Sequence, residues 1–143
     1  MRQQLQHSIN VNGRLLDLSV PKLMGILNAT PDSFFAGSRM QTEADIARRA
    51  NEIIAQGGAI IDVGAYSTRP GAEDVTEEEE MRRLRMALEV IRRECPDAAI
   101  SVDTFRSDVA KMCIEEYGVA IINDVTEVSD EAMINTVARL GVA

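Results

Sequence analysis

Four short apolar runs recur along the chain, each holding or ending in an amide or carboxylate side chain. They read LMGILN (23–28), AIIDVGA (59–65), AISVDT (99–104) and VAIINDV (119–125). Continuous β-branched runs of this length suit strands buried on both faces, the situation of a parallel sheet. Between them the period becomes helical. A first helix is predicted from Thr42, with Asp45 three residues on. Ile46, Ala50, Ile53 and Ile54 fall at helical spacing, and Gly57-Gly58 stops it. A second starts at Thr76 with a capping box to Glu79 and buries Met81, Leu84, Leu88 and Ile91. Its acidic first turn, Glu77 to Glu80, reads as a solvated face, and Arg92, Arg93 and Pro96 close it. A third runs from Ser107 to Tyr117 before Gly118; a fourth follows Ser129-Asp130 and ends near Gly141.

Upstream, SINVNGRLLDL (8–18) reads as a β-hairpin turning at Asn12-Gly13, where both positions tolerate positive φ. Pro21 separates it from the first apolar run. A hairpin and then four strand–helix pairs predict parallel strands with right-handed crossovers. An open doubly wound sheet and half of a (β/α)8 barrel both fit this order, the whole barrel being about 250 residues. Gly141-Val142-Ala143 reads as the start of a fifth strand, which favours the barrel and a truncated chain. The expected fold class is therefore α/β, the N-terminal half of a (β/α)8 TIM barrel. One partial domain spans 1–143, with the hairpin at 8–18 and the βα units over 22–143.

The polar residues gather where strands end, the position at which parallel α/β folds bind ligands. Asn28 could ligate a hard cation such as Mg²⁺, hold a phosphate, or cap the turn before Pro31. Asp103 could accept hydrogen bonds from ring N–H and amino groups, or pair with Arg106. Asn123 carries a donor and an acceptor, which suits the edge of a heterocycle as well as a bond to a loop. Asp62 lies within the second strand. After it, Ser67-Thr68-Arg69-Pro70-Gly71 presents one guanidinium, the fork that matches phosphate oxygens, unless it makes a surface ion pair. His7 falls outside these segments. No nucleophile elbow, Walker A loop, GxGxxG or HExxH occurs.

Composition narrows the class of ligand. The chain has 143 residues, 45% hydrophobic and 27% charged, ordinary for one soluble globular domain. With 15 basic against 23 acidic residues, net −8, and no Trp, it lacks the basic, aromatic surface of a nucleic-acid binder. No apolar run approaches the roughly 20 residues of a membrane helix, and no secretory segment stands at the start. A cytoplasmic location is expected. Cys95 and Cys113 are expected to be free, packed thiols.

Four blocks together resemble the dihydropteroate synthase family: MGILNATPDSF (24–34), GGAIIDVGAYSTRPGA (57–72), SVDTFRSDVA (101–110) and AIINDV (120–125). The resemblance covers essentially the whole chain. The pairing of a TPDSF loop with an STRPGA loop is its most specific part. It implies a barrel enzyme of folate synthesis, a transferase. The family joins 4-aminobenzoate to 6-hydroxymethyl-7,8-dihydropterin diphosphate, forming 7,8-dihydropteroate and diphosphate. Carried over by motif, Asp103 and Asn123 would bind the pterin, and Asn28 would bind Mg²⁺ and diphosphate. Thr68 and Arg69 would hold the diphosphate, and Phe34 and Pro70 would frame the aminobenzoate pocket, where sulfonamides compete. Asp103 and Arg69 would carry the catalysis. The alternative is a pterin- or methyltetrahydrofolate-binding module of a corrinoid methyltransferase system, which has no diphosphate to hold.

Two departures stand out. Phe35-Ala36-Gly37 replaces the family's common Ser-Asp-Gly, and Ala65-Tyr66 stands where Gly-Glu is frequent. The family's later strands also supply an Asp, a Lys, and a terminal Arg and His whose positions this sequence does not contain. Half a barrel alone is expected to be inactive, and to pair with a second copy as a homodimer.

Overall fold

The computed structural model describes residues 7–30, 43–66, 74–126 and 131–143. The hairpin forms as the Asn-Gly pair predicts: β1 (Ser8–Val11) pairs antiparallel with β2 (Arg14–Asp17), with Val11 opposite Arg14. Asn12 and Gly13 both have positive φ, 50° and 81°, and the Asn10 side chain accepts a hydrogen bond from the Gly13 N–H at 2.9 Å.

The rest alternates strand and helix. β3 is Leu23–Asn28, α1 Glu43–Ala55, β4 Gly58–Gly64, α2 Glu77–Glu94, β5 Ala99–Asp103, α3 Ser107–Tyr117, β6 Ile121–Asn123 and α4 Glu131–Leu140. All pairings in the four-stranded sheet are parallel, and its order is β3-β4-β5-β6. That order separates the two architectures left open by the sequence. A doubly wound sheet reverses strand order at a switch point, and here each strand lies beside its predecessor. The four βα units follow one another around an arc, as in half a (β/α)8 barrel.

One face of the sheet is the helix side. Leu27, Ile61, Val63, Ile100 and Val102 are buried there with Ile46 and Ile53 of α1 and Leu84, Leu88 and Ile91 of α2. Ile54, placed in the buried stripe by its spacing, is 41% exposed instead. The α1 contact is unusually close. A methyl group on Gly25 would lie 2.4 Å from the Ile53 side chain, and one on Gly58 would lie 2.7 Å from the Ile53 backbone oxygen. Glycine at both positions lets the helix reach the sheet.

The opposite face carries Met24, Ile26, Ile60, Asp62, Ala99, Ser101 and Ile121, since alternate strand residues share a face. At the N-terminal end of the strands the hairpin closes it. Val11 packs with Ile60, Ala99 and Ala120; Asn12 donates to the Gly118 carbonyl at 2.8 Å, and Arg14 to the Asp97 carbonyl at 2.9 Å. At the other edge, Ala143 donates to the Ala120 carbonyl at 3.0 Å and accepts from the Ile122 N–H at 2.9 Å. That is one rung of a parallel ladder beside β6, where the sequence predicts a fifth strand to start.

Two caps show how closely local rules were obeyed. The Thr76 hydroxyl accepts from the Glu79 N–H at 3.2 Å, while the Glu79 carboxylate binds Arg82 and Arg83 rather than turning back to Thr76. Gly118 ends α3 in the left-handed conformation, φ 64°. Thr42 and Ser129-Asp130 lie outside the described residues.

Candidate functional site

Register builds the site. Asn28 pairs with Gly64, Gly64 with Asp103, and Asp103 with Asn123, so these four residues form one row across the carboxyl ends of all four strands. One level deeper on the same face runs a second row: Ile26, Asp62, Ser101 and Ile121. The three strand-end residues singled out from sequence, Asn28, Asp103 and Asn123, therefore stand along one rim. Gly64 contributes no side chain between Asn28 and Asp103. A methyl group there would sit 3.7 Å from the Asp103 Cβ and 4.0 Å from the Asn28 Oδ1. Phe34, Thr68, Arg69 and Pro70 lie outside the described residues.

The rows are tied together by Asn123, whose side-chain N–H donates to the Asp62 Oδ2 at 3.2 Å. Asp62 is only 6% exposed, and its Oδ1 and the Ser101 Oγ are buried without a hydrogen-bond partner among the described residues. Beside Asp103 a groove opens, lined also by Tyr66, Thr104, Phe105, Asp124, Val125 and Thr126. Asp124 is engaged locally, accepting from the Thr126 N–H at 2.9 Å and its hydroxyl at 2.6 Å. Burial raises the Asp103 pKa above its ordinary value, and the neighbouring carboxylates Asp62, Asp124 and Glu80 raise it further.

Arg106 does not pair with Asp103. Its guanidinium donates to the Glu80 carboxylate and, at 2.8 Å, to the Val75 carbonyl. The same group lies over the Tyr66 and Phe105 rings, 5.3 and 5.0 Å from their centroids, and those rings meet edge to face at 5.2 Å. The Tyr66 hydroxyl donates to Asp74 at 3.2 Å. Glu80 is fully buried and also accepts from the Thr104 hydroxyl at 2.8 Å. This corrects the reading of Glu77 to Glu80 as a wholly solvated face. Helical phase was the missed signal: Glu80 precedes Leu84 by four residues and Ala87 by seven, so it lies on the buried stripe. Arg106 thus braces the rim from outside, leaving Asp103 to face the groove.

As for a metal, no group of three or more His, Cys, Asp or Glu capable of holding one occurs among the described residues. Among the described residues the rim row offers the amide oxygens of Asn28 and Asn123 and the one carboxylate of Asp103, spread over four strands. That fits an ion bound largely by water and substrate phosphates, the habit of Mg²⁺. It does not fit a dedicated protein cage.

Residues 24–143 match the family model for pterin binding enzymes. The chain belongs to the pterin-binding enzyme family. Among curated members, the dihydropteroate synthase of Escherichia coli (strain K12) is 42% identical over 129 residues, covering 90% of this chain and 45% of that protein. The dihydropteroate synthase of Staphylococcus epidermidis is 44% identical over 126 residues, covering 84% of this chain and 45% of that one. Among solved structures, the Xanthomonas albilineans dihydropteroate synthase with 4-aminobenzoic acid superposes with a TM-score of 0.81 at 34% identity, covering 95% of this chain and 50% of that one. The Anaplasma phagocytophilum dihydropteroate synthase with bound 6-hydroxymethylpterin-monophosphate gives 0.72 at 36% identity, covering 85% and 46%. The chain thus spans about half the length of these pterin-binding relatives.

Proposed function

We propose that this chain provides the pterin-binding strand ends of a dihydropteroate synthase. That enzyme joins 4-aminobenzoate to 6-hydroxymethyl-7,8-dihydropterin diphosphate and releases diphosphate. The observation that carries the reading is the row Asn28, Gly64, Asp103, Asn123, polar side chains in register around one gap, in a chain matched over 24–143 to pterin-binding enzymes.

The chemistry asks little acid–base work of the nucleophile, because an aniline nitrogen is already neutral near pH 7. The barrier lies in breaking the C–O bond to diphosphate. In this reading Asp103 and Asn123 hold the pterin at the rim, and Asp103 faces positive charge as it develops on the pterin methylene carbon. The substitution is dissociative in character. Thr68 and Arg69 bind the departing diphosphate, and Phe34 and Pro70 border the aminobenzoate. Asn28 would hold Mg²⁺ together with the diphosphate, and the ion would supply charge neutralisation for the leaving group.

We place the protein in the cytoplasm and propose a homodimer. Met24 and Ile26 are 42% and 59% exposed on the inner face of β3, apolar surface that a second copy would cover. Sedimentation that shows only monomer at micromolar concentration would remove the dimer.

The test is titration of the full chain with the pterin diphosphate, read by pterin fluorescence without interference because Trp is absent. The expected result is Mg²⁺-dependent binding weakened by Asp103→Ala, Asn123→Ala and Arg69→Ala. Equal affinity for the pterin lacking diphosphate, with no effect of Mg²⁺ or Arg69→Ala, would favour the methyltetrahydrofolate-type module. Absence of binding would overturn the reading.

A further inference from the structure

Tyr66 and Asp74 border the 67–73 stretch, and they meet across it: the Tyr66 hydroxyl donates to the Asp74 carboxylate at 3.2 Å. Both borders also rest on one guanidinium. Arg106 lies 5.3 Å from the Tyr66 ring centroid and donates to the carbonyl of the buried Val75 at 2.8 Å. The same guanidinium lies 5.0 Å from the Phe105 ring centroid and is bound to Glu80. Glu80 accepts from the Thr104 hydroxyl at 2.8 Å, and the Arg106 N–H donates to that hydroxyl oxygen at 3.2 Å. Thr104 and Phe105 directly follow Asp103. One side chain therefore ties both sides of 67–73 to the end of β5.

Arg106 is poorly placed to hold an anion itself. Its partner Glu80 balances its charge, and the two side chains are only 19% and 0% exposed. Its Nη1 is engaged by Glu80 and its Nη2 by Val75. What the planar fork supplies here is direction. A lysine ammonium is a point charge and cannot keep two directed N–H bonds together with contact to two ring faces.

We propose that Arg106, seated on Glu80, is a positioning residue for the diphosphate end of the site. It fixes where Tyr66 and Val75 stand relative to Asp103. Through these two borders it governs how well Thr68 and Arg69 meet the diphosphate, and it touches no ligand in this role. This inference rests on the function proposed above and adds to it the residue that joins its two halves.

The experiment measures two affinities on the full chain with Mg²⁺, by pterin fluorescence: one for 6-hydroxymethylpterin diphosphate, one for 6-hydroxymethylpterin. Their ratio reads the share of binding owed to the diphosphate. Wild type is expected to favour the diphosphate by about 30-fold or more, the worth of one or two charge-assisted hydrogen bonds. Arg106→Ala is expected to bring the ratio to about 5-fold or less, with the affinity for the ring alone within about 2-fold of wild type. Arg106→Lys should recover only part of the ratio. Tyr66→Leu leaves the Glu80–Arg106 pair in place, so it tests the same point if Arg106→Ala fails to fold, and it should lower the ratio as well. In an Arg69→Ala background, either change should alter the ratio by less than about 2-fold, because both act through the same contact. A merely structural role would weaken both ligands together. A ratio unchanged in the folded variants, or an equal fall with and without Arg69, overturns this inference alone. A wild-type chain that binds neither ligand, or binds both equally, overturns the proposed function and the positioning role with it.

Discussion

Arg106, in the loop after β5, closes on the carboxylate of Glu80, a fully buried residue of the first turn of α2. Thr104, next to Asp103, donates to the other oxygen of the same carboxylate at 2.8 Å. Removing one member of a buried ion pair strands the other, a loss of about 3–5 kcal/mol. Glu80→Ala should therefore lower stability by that amount in urea unfolding. Glu80→Gln, which keeps one acceptor oxygen for either Arg106 or Thr104, should cost less than Glu80→Ala. An equal loss in both would show that the charge, rather than the hydrogen bonding, holds the brace.

Asp103 and Glu79 titrate in opposite senses. Asp103 is held above its ordinary value of 3.8 by burial and by Asp62, Asp124 and Glu80. Its contribution to stability is therefore full below 3.8 and lost as pH rises through its raised folded value. Asp103→Asn should make the chain more stable than wild type at neutral pH, with the difference vanishing below pH 3.8. Glu79 is pulled down to about 2 by Arg82 and Arg83. It stabilises above 4.5, and that contribution fades as pH falls toward 2, weakly because its side chain is 33% exposed. Thermal melts of both Asp103→Asn and Glu79→Gln between pH 3 and 8 check the two signs.

The close seat of α1 gives a steric prediction. The Ile53 backbone oxygen cannot move without moving the helix, and it would lie 2.7 Å from a methyl group on Gly58. Gly58→Ala should cost about 1–3 kcal/mol, the usual range for overpacking. The three nearest atoms to a methyl group on Gly25 all belong to the Ile53 side chain, Cγ2 at 2.4 Å first, so Gly25→Ala paired with Ile53→Ala, which removes both Cγ atoms, should cost less than the sum of the two single changes. Denaturant midpoints of the single and double variants decide this.

Cys113 is buried on α3, and its thiol is pushed up to about 12, first by burial and then by Glu80 and Glu116. The thiolate is the reactive form. A disulfide reagent at pH 8 should modify the half-buried Cys95 first and reach Cys113 only when the helix opens. Cys113 labelling should accelerate with sub-denaturing urea while Cys95 labelling stays nearly constant. Equal rates in the native chain would contradict the packing.

Which of these features could be read in advance depended on period. Strand alternation and helix stripes placed nearly every element, because Leu27, Val63, Leu84, Leu88 and Val102 face one core. Positive φ at Asn12 and Gly13 followed from residue type. The rim residues Asn28, Asp103 and Asn123 were also visible, as polar residues at or near the ends of apolar runs. Glu80 was hidden among four consecutive glutamates, where local acidity suits a helix start and only phase distinguishes the buried one. The bond between Asn123 and Asp62 joins residues 61 positions apart; no local pattern encodes it, since it arises from strand register. The strands β4, β5 and β6 end one or two residues before their apolar runs do, at Gly64, Asp103 and Asn123.

Gly64 occupies the rim row between Asn28 and Asp103, and those two residues are thereby about 10 Å apart, two strand spacings. A methyl group at Gly64 meets nothing closer than 3.7 Å, so the backbone there tolerates a small side chain. Such a variant would fold, melt and sediment as the parent does while narrowing the gap between the Asn28 and Asp103 side chains. Screens that score only expression or melting temperature would pass it unnoticed; an assay of ligand retention would expose it.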